Sequence, residues 1–368
     1  MQAAARKPPA RPSRALLSLL FINLLLIALA VAHGVNARLH ASRPRAQGLR
    51  RLTRLPLPLP PAAPLPAHSI FTPTCQASED IAPLPNASAP LVDISVSSEF
   101  SARSRRDAIR AGYALQARAL GFRVRFFVGE AAESDVQDRW RKQSGSAAEG
   151  DIAAQLAHER LARESEQRQF GDLVILPMAD TYGNLTTKTL AMAVHTSVCG
   201  RGDFMVKTDD DVFIFAWRLA KRLQKVRTDA SMYKRGLGVY MGTFWVNAPP
   251  ITATDSKNFE PMWGWKGKFY TAFAGGPFYI VSRPAINFLT RNARRMNRHW
   301  RNEDMAMSTW MQGLDVEAVD EERIKILHWK WSHPPYIALH NIDEREDIEG
   351  WHARQAALHS GPDSEEGA

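Results

Sequence analysis

The sequence has few cysteines, which limits how its fold can be held together. Only Cys75 and Cys199 occur among 368 residues, so at most one internal disulfide can form. This excludes a small fold held by a disulfide framework. Cys199 follows a segment with helical spacing, and that placement favours a small buried hydrophobe over a disulfide partner.

Acidic residues are missing from the first 54 positions, which contain ten Lys or Arg. The whole chain carries a net charge of +9, so residues 55–368 carry −1. A nearly neutral body has no general attraction for nucleic acid, and we expect no nucleic-acid partner. Internal repeats and a Gly-rich dinucleotide-binding loop are also absent from the sequence. With 45% hydrophobic residues, the chain can form one large domain or two small ones.

A long uncharged segment interrupts the basic N-terminal region. Residues 15–32 contain no charged side chain, and the segment extends to 35 if His33 is included. It is long enough to cross a bilayer as a helix. A cleaved signal peptide is the alternative, but its apolar region is usually only about 7–15 residues long. We therefore predict a signal anchor at 15–35 after a tail at 1–14. The flanking Lys and Arg residues do not fix its orientation.

Proline dominates the region that follows the predicted anchor. Residues 55–90 contain ten prolines, which predicts a semi-rigid stem over 36–90. Two Asn-x-Ser/Thr acceptor sites, at Asn86 and Asn184, are compatible with a secretory compartment. We place the folded body at 91–355 and an acidic tail at 356–368.

The body alternates strand-like and helix-like segments, which predicts an α/β fold with a mostly parallel, doubly wound central sheet. Strands are expected at 91–96, 122–128, 172–176 and 203–208, and helices at 103–120, 187–198 and 215–226. Gly121 is expected to end the first helix, and Gly129 to end the second strand.

Three consecutive aspartates, Asp209, Asp210 and Asp211, follow the predicted strand at 203–208. Their charges repel one another, and burial would increase that cost. A divalent cation would neutralise them, because Mg²⁺ and Mn²⁺ prefer carboxylate oxygens. The end of a parallel strand is also where open α/β sheets bind ligands. A solvated acidic turn or a helix N-cap remains the alternative, since Asp suits both.

Two other segments have both a functional and a purely structural interpretation. Gly275 and Gly276 lie among aromatic residues, which fits either a surface that a sugar ring approaches or a tight turn. Glu303 and Asp304 follow Asn302, and acidic residues in this position are typical of the start of a helix.

Six segments resemble, in order, motifs of the β-1,3-galactosyltransferases and related β-1,3-hexosyltransferases, especially plant members. They are residues 105–110, 126–129, 180–189, 207–213, 275–282 and 303–310. The segment 180–189 is close to the family pattern Asp-x-Tyr-x-Asn-Leu-Thr-x-Lys-Thr, and 207–213 is similar to its metal-binding motif. The resemblance extends over residues 91–351.

The resemblance implies a GT-A-like nucleotide-sugar-binding fold on a single-pass type II anchor in the Golgi membrane, with the body in the lumen. It implies Mn²⁺ or Mg²⁺ as cofactor and a UDP-hexose as donor, with galactose favoured over N-acetylglucosamine. The acceptor would be a hydroxyl of a glycan or glycoprotein. Transfer would invert the anomeric centre and form a β-1,3 linkage.

The resemblance also implies roles for individual residues. The general base would be Asp304, beside Glu303. The metal ligands would be Asp211, Asp209 and His340. The donor-binding residues would be Arg106, Arg110, Lys188, Asp209 and Asp210. The residues on the acceptor side would be Gly275, Gly276 and Trp310.

Two other functions remain open from the sequence. The aspartates would also suit a metal-dependent nucleotide-sugar phosphoesterase, which needs no acceptor. Departures from the family pattern, such as Gly112-Tyr113 in place of Thr-Trp and Met305 in place of Val, would suit a catalytically silent, membrane-anchored sugar-binding protein.

Overall fold

A computed structural model describes residues 70–73, 75, 91–131, 133, 137, 149–229, 238–260, 267–296, 300–326 and 336–341. All of them belong to one compact unit, Pro64–Ala368. The predicted tail at 1–14, the anchor at 15–35, the tail at 356–368, Asn86 and most of the stem lie outside the described residues. No helix within the described ranges is both long and apolar enough to cross a membrane.

Strands and helices alternate through the first half of the described chain, as predicted. In chain order its elements are β1 (Val92–Ser97), α1 (Arg103–Ala111), α2 (Tyr113–Ala119), β2 (Arg123–Glu130), α3 (Glu149–Phe170), β3 (Leu173–Ala179), α4 (Leu185–Cys199) and β4 (Phe204–Asp209).

The second half of the described chain has six strands, of which β7 is the longest, and three α-helices. In chain order its elements are β5 (Val212–Ile214), α5 (Ala216–Thr228), β6 (Val239–Trp245), β7 (Phe273–Ser282), α6 (Arg283–Asn292), α7 (Glu303–Gln312), β8 (Glu317–Asp320), β9 (Ile324–Lys325) and β10 (Ala338–His340).

Seven strands form the central sheet in the order β3-β2-β1-β4-β7-β6-β8. The strands β3, β2, β1 and β4 are parallel, β7 is antiparallel to both β4 and β6, and β8 is parallel to β6. The sheet is therefore mixed but mostly parallel, which confirms the α/β prediction. A separate three-stranded sheet has the order β5-β10-β9.

Both faces of the central sheet are buried. Successive residues of a strand face opposite sides, so Phe126 belongs to one hydrophobic cluster and Phe127 to the other. The first cluster includes Ile109 of α1 and Leu223 of α5, while the second includes Ile286 of α6. Helices therefore cover the sheet on both sides, as its apolar strands require.

Two boundaries differ from the sequence prediction because of glycines. The predicted helix at 103–120 is two helices, since the chain breaks at Gly112 with φ −98° and ψ −124°. Gly129 does not end β2 but lies inside it. A Cβ atom there would come within 2.8 Å of the Asp180 Cβ, so the glycine permits a close approach of two chain segments.

Cys75 and Cys199 form a disulfide, so the interpretation of Cys199 as an unpaired hydrophobe was wrong. Cys199 is the last residue of α4, and Cys75 comes from the region assigned to the stem. The side chains of Ile70 and Phe71 also pack against the second hydrophobic cluster. Part of the predicted stem, at Ile70, Phe71 and Cys75, therefore contacts the body.

Candidate active site

A cavity of about 750 Å³ opens at the carboxyl edge of the parallel strands. Ser98 follows β1, Asp180 follows β3, and Asp209 ends β4, and all three line it. Because β7 is antiparallel to β4, its first residues reach the same edge, which adds Gly276 to the cavity wall. The sheet topology thus gathers these polar groups where open α/β sheets bind ligands.

The three aspartates of the triplet have different surroundings, although all three line the cavity. The Asp209 carboxylate is about one-third exposed and accepts a hydrogen bond from Lys207 at 2.6 Å. Asp210 is buried, accepting from Ser98 at 2.7 Å and from Arg105 at 3.0 Å. Burial raises the pKa of Asp210, partly offset by those two donors. Asp210 therefore holds the loop in place, while Asp209 faces the cavity.

Asp211 and His340 meet because β5 pairs with β10. The antiparallel register sets His340 opposite Val212, directly beside Asp211. The His340 Nδ1 lies 2.6 Å from the carbonyl oxygen of Ile326, to which it donates. Its Nε2 then faces the Asp211 Oδ2 at 3.5 Å. Two acceptor atoms in this position need either a shared proton or a cation between them.

These residues fit a divalent cation. The second carboxylate oxygen of Asp211, Oδ1, is buried and has no hydrogen-bond partner among the described residues. A metal-binding histidine commonly donates its other N–H to a backbone carbonyl, as His340 does. Within the described ranges, no cluster of three or more His, Cys, Asp or Glu side chains is placed to hold a metal. Mg²⁺-type sites often use one or two carboxylates and complete their coordination with substrate phosphates and water.

Asp304 lies in the first turn of α7 and, like Asp211, lines the cavity. Its Oδ1 accepts a hydrogen bond from the Met305 backbone at 2.9 Å. Burial and the neighbouring Glu303 charge raise the pKa of Asp304 to about 7. A carboxylate with such a pKa is suited to accept a proton near neutral pH.

Glu303 is buried and fully hydrogen-bonded, unlike Asp304. Its carboxylate accepts from Lys207 at 2.9 Å, from Tyr279 at 3.0 Å and from Thr189 at 3.3 Å. Burial raises its pKa against the opposing charge of Lys207. Because its oxygens are already occupied, Glu303 holds α7 in place rather than accepting a substrate proton.

Gly275 and Gly276 lie within β7 and not in a tight turn, so that alternative was wrong. Both line the cavity. A Cβ at Gly275 would be 2.4 Å from the Ile326 Cδ1, and one at Gly276 would be 2.8 Å from the Glu303 Oε1. The glycines therefore allow α7 and the Ile326 segment to pack directly on the strand.

The predicted donor-binding arginines do not lie at the cavity. Arg106 and Arg110 are absent from the described residues that line it, because their guanidinium groups are buried in ion pairs with Glu166 of α3. Arg110 also binds Asp172 at 2.7 Å. Lys188 does line the cavity, but its ammonium donates to Asp180 at 2.7 Å and to the Ser98 carbonyl at 2.8 Å.

Two other predicted site residues also have structural contacts. Trp310 is buried in the second hydrophobic cluster and is not among the described cavity-lining residues. The Asn184 amide donates to the Ala179 carbonyl at 3.0 Å, just before α4 begins. A glycan on that nitrogen would disturb this hydrogen bond.

Sequence reasoning overlooked Arg105 and Lys207, which both line the cavity. A signal for Lys207 was present, because a lysine between the apolar run 204–206 and Asp209 predicts a buried charge with carboxylate partners. For Arg105 the sequence offers no such signal. Arg105 and Arg106 are adjacent, and only the packing of α1 decides which one faces the cavity.

Comparison with known proteins identifies relatives for this arrangement. Residues 153–322 match the sequence model of the family described as galactosyltransferase. A probable β-1,3-galactosyltransferase 1 of Arabidopsis thaliana is 27% identical over 243 residues, covering 63% of this chain and 55% of that protein. β-1,3-Galactosyltransferase 6 of Mus musculus is 29% identical over 213 residues, covering 56% of this chain and 60% of that protein. The chain thus spans little more than half the length of these relatives.

Among solved structures, a mannosyltransferase of Pyrobaculum calidifontis gives a TM-score of 0.33 at 14% identity, covering 77% of this chain and 68% of that one. A likeness at this level does not establish a shared fold. The sequence relatives and the family match are the informative findings. By them, this chain is similar to the β-1,3-galactosyltransferases, a family of glycosyltransferases.

Proposed function

We propose that this protein transfers a hexose from a UDP-sugar to a hydroxyl group of a glycan or glycoprotein, with inversion, to form a β-1,3 linkage. Galactose is the favoured sugar, because the relatives carry that name. The observation that carries the proposal is the position of Asp211 and Asp304 on one cavity of about 750 Å³. A cavity of this size suits a small-molecule substrate. The mixed α/β sheet is compatible with a GT-A-like fold.

The triplet side of the cavity would bind the donor diphosphate. Asp211 and His340 would hold Mn²⁺ or Mg²⁺, with Asp209 as a further ligand or a contact to the ribose. Such an ion stabilises the negative charge that develops on a diphosphate leaving group. Arg105, which lines the cavity and donates to Asp210, would contact the diphosphate.

Asp304 would act as the general base across the cavity. The acceptor hydroxyl must lose a proton as its oxygen attacks the anomeric carbon, and a carboxylate with a pKa of about 7 can take that proton. A single displacement from an α-linked UDP-sugar gives a β-linked product. Gly275 and Gly276, which also line the cavity, would lie on the acceptor side.

A soluble form beginning at Ser69, assayed with Mn²⁺ and a panel of UDP-sugars, tests the proposal. We expect UDP release that depends on an added acceptor sugar, and the most effective donor identifies the hexose. Equal release without any acceptor would instead indicate a phosphoesterase. Glycan binding that needs neither UDP nor metal would indicate a catalytically silent protein.

Asp304→Asn is the matched variant for this assay. We expect it to reduce transfer at least about 10²-fold, the lower range of what a positioned base contributes. Calorimetric titration with UDP and Mn²⁺ should give the wild-type affinity, because Asp304 is not among the proposed ligands of the metal or the diphosphate. Transfer near the wild-type rate would show that Asp304 is not the base.

The Golgi membrane, a lumenal body and a type II anchor at 15–35 are part of the same proposal. The Cys75–Cys199 disulfide supports them, since disulfides persist in oxidising compartments. Protease protection of the body in sealed Golgi vesicles would test the orientation. Digestion of the body without detergent would refute it.

A further inference from the structure

Lys207 joins the two sides of the cavity that the proposed function separates. It lies near the end of β4, with a side chain only 3% exposed. Its ammonium group donates to the Asp209 Oδ1 at 2.6 Å, to the Glu303 Oε1 at 2.9 Å and to the Gly276 carbonyl at 2.6 Å. A lysine ammonium has three protons, so these contacts use all of its donors.

The contacts of Lys207 are fixed from several elements. The register of β4 and β7 pairs Lys207 with Tyr279, whose ring centre lies 5.7 Å from the ammonium nitrogen. Tyr279 in turn donates to the other oxygen of Glu303, and Thr189 of α4 donates to the same oxygen. Glu303 is therefore held from β4, β7 and α4. Since Glu303 begins α7, this arrangement fixes the first turn of that helix and the Asp304 that follows.

Lys207 also determines where Asp209 lies. The lysine is buried and paired with two carboxylates, which compensates the cost of removing its own charge and that of Glu303 from water. Within the described residues, it is the contact that links the triplet to α7 directly. A change at Lys207 would release Asp209 on one side and Glu303 on the other.

We infer that Lys207 is a positioning residue, which holds the donor-binding aspartates and the general base in register across the cavity. The inference rests on the proposed function, since it assigns Lys207 to that reaction. Lys207 does not contact substrate itself, because its three protons are already donated.

If Lys207 has this positioning role, its substitution should lower kcat and also weaken UDP binding. Partners of a metal-binding residue typically change affinity or activity about 10- to 100-fold when they are removed. A displacement of about 1 Å at a reacting group can cost about 10²-fold in rate. We therefore expect Lys207→Met in the full chain to reduce kcat for UDP-sugar transfer about 100-fold and to weaken UDP binding with Mn²⁺ about tenfold. Asp304→Asn, in contrast, should reduce only kcat.

Arg222→Met provides the matched control for a lost ion pair. Arg222 of α5 binds Glu321 at 2.6 Å, and neither residue is among the described ones that line the cavity. This variant should lower Tm but leave kcat and the UDP affinity near wild type. If Lys207→Met also lowers only Tm, its role is purely structural and the inference is overturned.

A second variant removes the risk that Lys207→Met does not fold. Lys207→Met combined with Glu303→Gln removes the buried carboxylate together with its counter-charge. It should recover Tm while the weaker UDP binding persists, since Glu303 does not touch the triplet. Wild-type UDP affinity in this double variant would overturn the inference. If the wild-type protein itself neither binds UDP with Mn²⁺ nor turns over a UDP-sugar, the proposed function fails and the inference falls with it.

Discussion

Asp304 and Glu303 are adjacent carboxylates with different surroundings. Glu303 is held by three donors, whereas Asp304 has backbone partners and faces the cavity. Burial and the charge of Glu303 raise the pKa of Asp304 to about 7, so the carboxylate loses its proton only as the pH approaches neutrality. This ionisation should be visible in the pH dependence of transfer.

We predict that kcat/KM falls as the pH drops below about 7, by about tenfold for each pH unit, because the base is active only when deprotonated. Initial rates between pH 5 and 9 with saturating Mn²⁺ would measure it. A profile that stays flat down to pH 5 would contradict the assignment of Asp304 as base.

Glu303→Gln tests the cause of this raised pKa. Removing the neighbouring negative charge lowers the pKa of Asp304, so the acidic limb of the profile should move to lower pH. The Gln side chain has the same length and leaves one oxygen for Tyr279. An unchanged limb would mean that burial alone sets the pKa.

Asp211 is the subject of a further prediction, which concerns metal binding. Its Oδ1 is buried without a partner among the described residues, and its Oδ2 faces His340. Asp211→Ala should therefore abolish Mn²⁺-dependent UDP binding, while the protein stays folded because the carboxylate makes few contacts. Calorimetric titration with UDP, with and without Mn²⁺, measures the effect. An affinity equal to that of wild type would refute the metal assignment.

At the scale of elements, α1 separates two adjacent arginines. Arg105 lines the cavity and donates to Asp210, while Arg106 is fully buried and binds both oxygens of Glu166 on α3. Adjacent residues on a helix face different directions, so Arg105 lines the cavity whereas Arg106 is buried in the interior.

The two arginines should respond oppositely to the same substitution. Arg106→Met leaves Glu166 with one partner fewer in a buried site, so we expect about 3–5 kcal/mol of destabilisation and no change in UDP affinity. Arg105→Met should lower stability less than Arg106→Met, because Arg105 is about one-third exposed. It should weaken UDP binding about tenfold, since a hydrogen bond to a charged group contributes about 1.5–3 kcal/mol. Denaturation with urea and calorimetry measure the two effects. If Arg106→Met weakened UDP binding, the sequence-based prediction that Arg106 binds the donor would be supported after all.

The sequence predicted elements well where one signal dominated. Apolar runs such as 204–206 correctly indicated parallel strands, because burial on both faces selects continuous apolar segments. The sequence-based prediction failed where tertiary contacts determine the local structure. Gly275 and Gly276 look like a turn in isolation, but they lie in β7 because α7 and Ile326 leave no space for a side chain. The very short β9 and β10 had no periodic signal at all.

The candidate site likewise combines residues that the sequence could indicate with contacts that it could not. The aspartate triplet and Asp304, which line the cavity, were proposed as site residues because carboxylates at the end of a strand and in a family motif point to chemistry. Which side chains surround them depends on the register of β5 with β10 and on the rotation of α1, and local sequence contains neither. His340 was found only through the resemblance.

At the scale of the whole molecule, the disulfide connects the N-terminal region to the body. Cys75 and Cys199 are 124 residues apart in sequence, and Ile70 and Phe71 pack close by on the second hydrophobic cluster. Composition suggested a spacer here, because proline content describes the average of a region and not the few residues that bind elsewhere. The folded unit therefore begins before residue 91.

This attachment predicts that the catalytic body is less stable without residues 69–90. Closing a loop of about 100 residues stabilises a protein by about 4–5 kcal/mol in the chain-entropy model, and removing a native disulfide typically costs about 2–5 kcal/mol. We expect Cys75→Ser combined with Cys199→Ser, in a form beginning at Ser69, to lower the free energy of unfolding by about that amount. Urea denaturation measures it.

A third form, beginning at Leu91 and carrying Cys199→Ser, separates the disulfide from the packing. Its difference from the double variant reports the contribution of Ile70 and Phe71, since neither form contains the disulfide. Burying two such side chains fully would contribute about 1.5–3 kcal/mol each, and both are only partly buried, so a smaller difference is expected. If all three forms unfold at the same urea concentration, residues 69–90 do not stabilise the body, and the boundary at 91 would be correct after all.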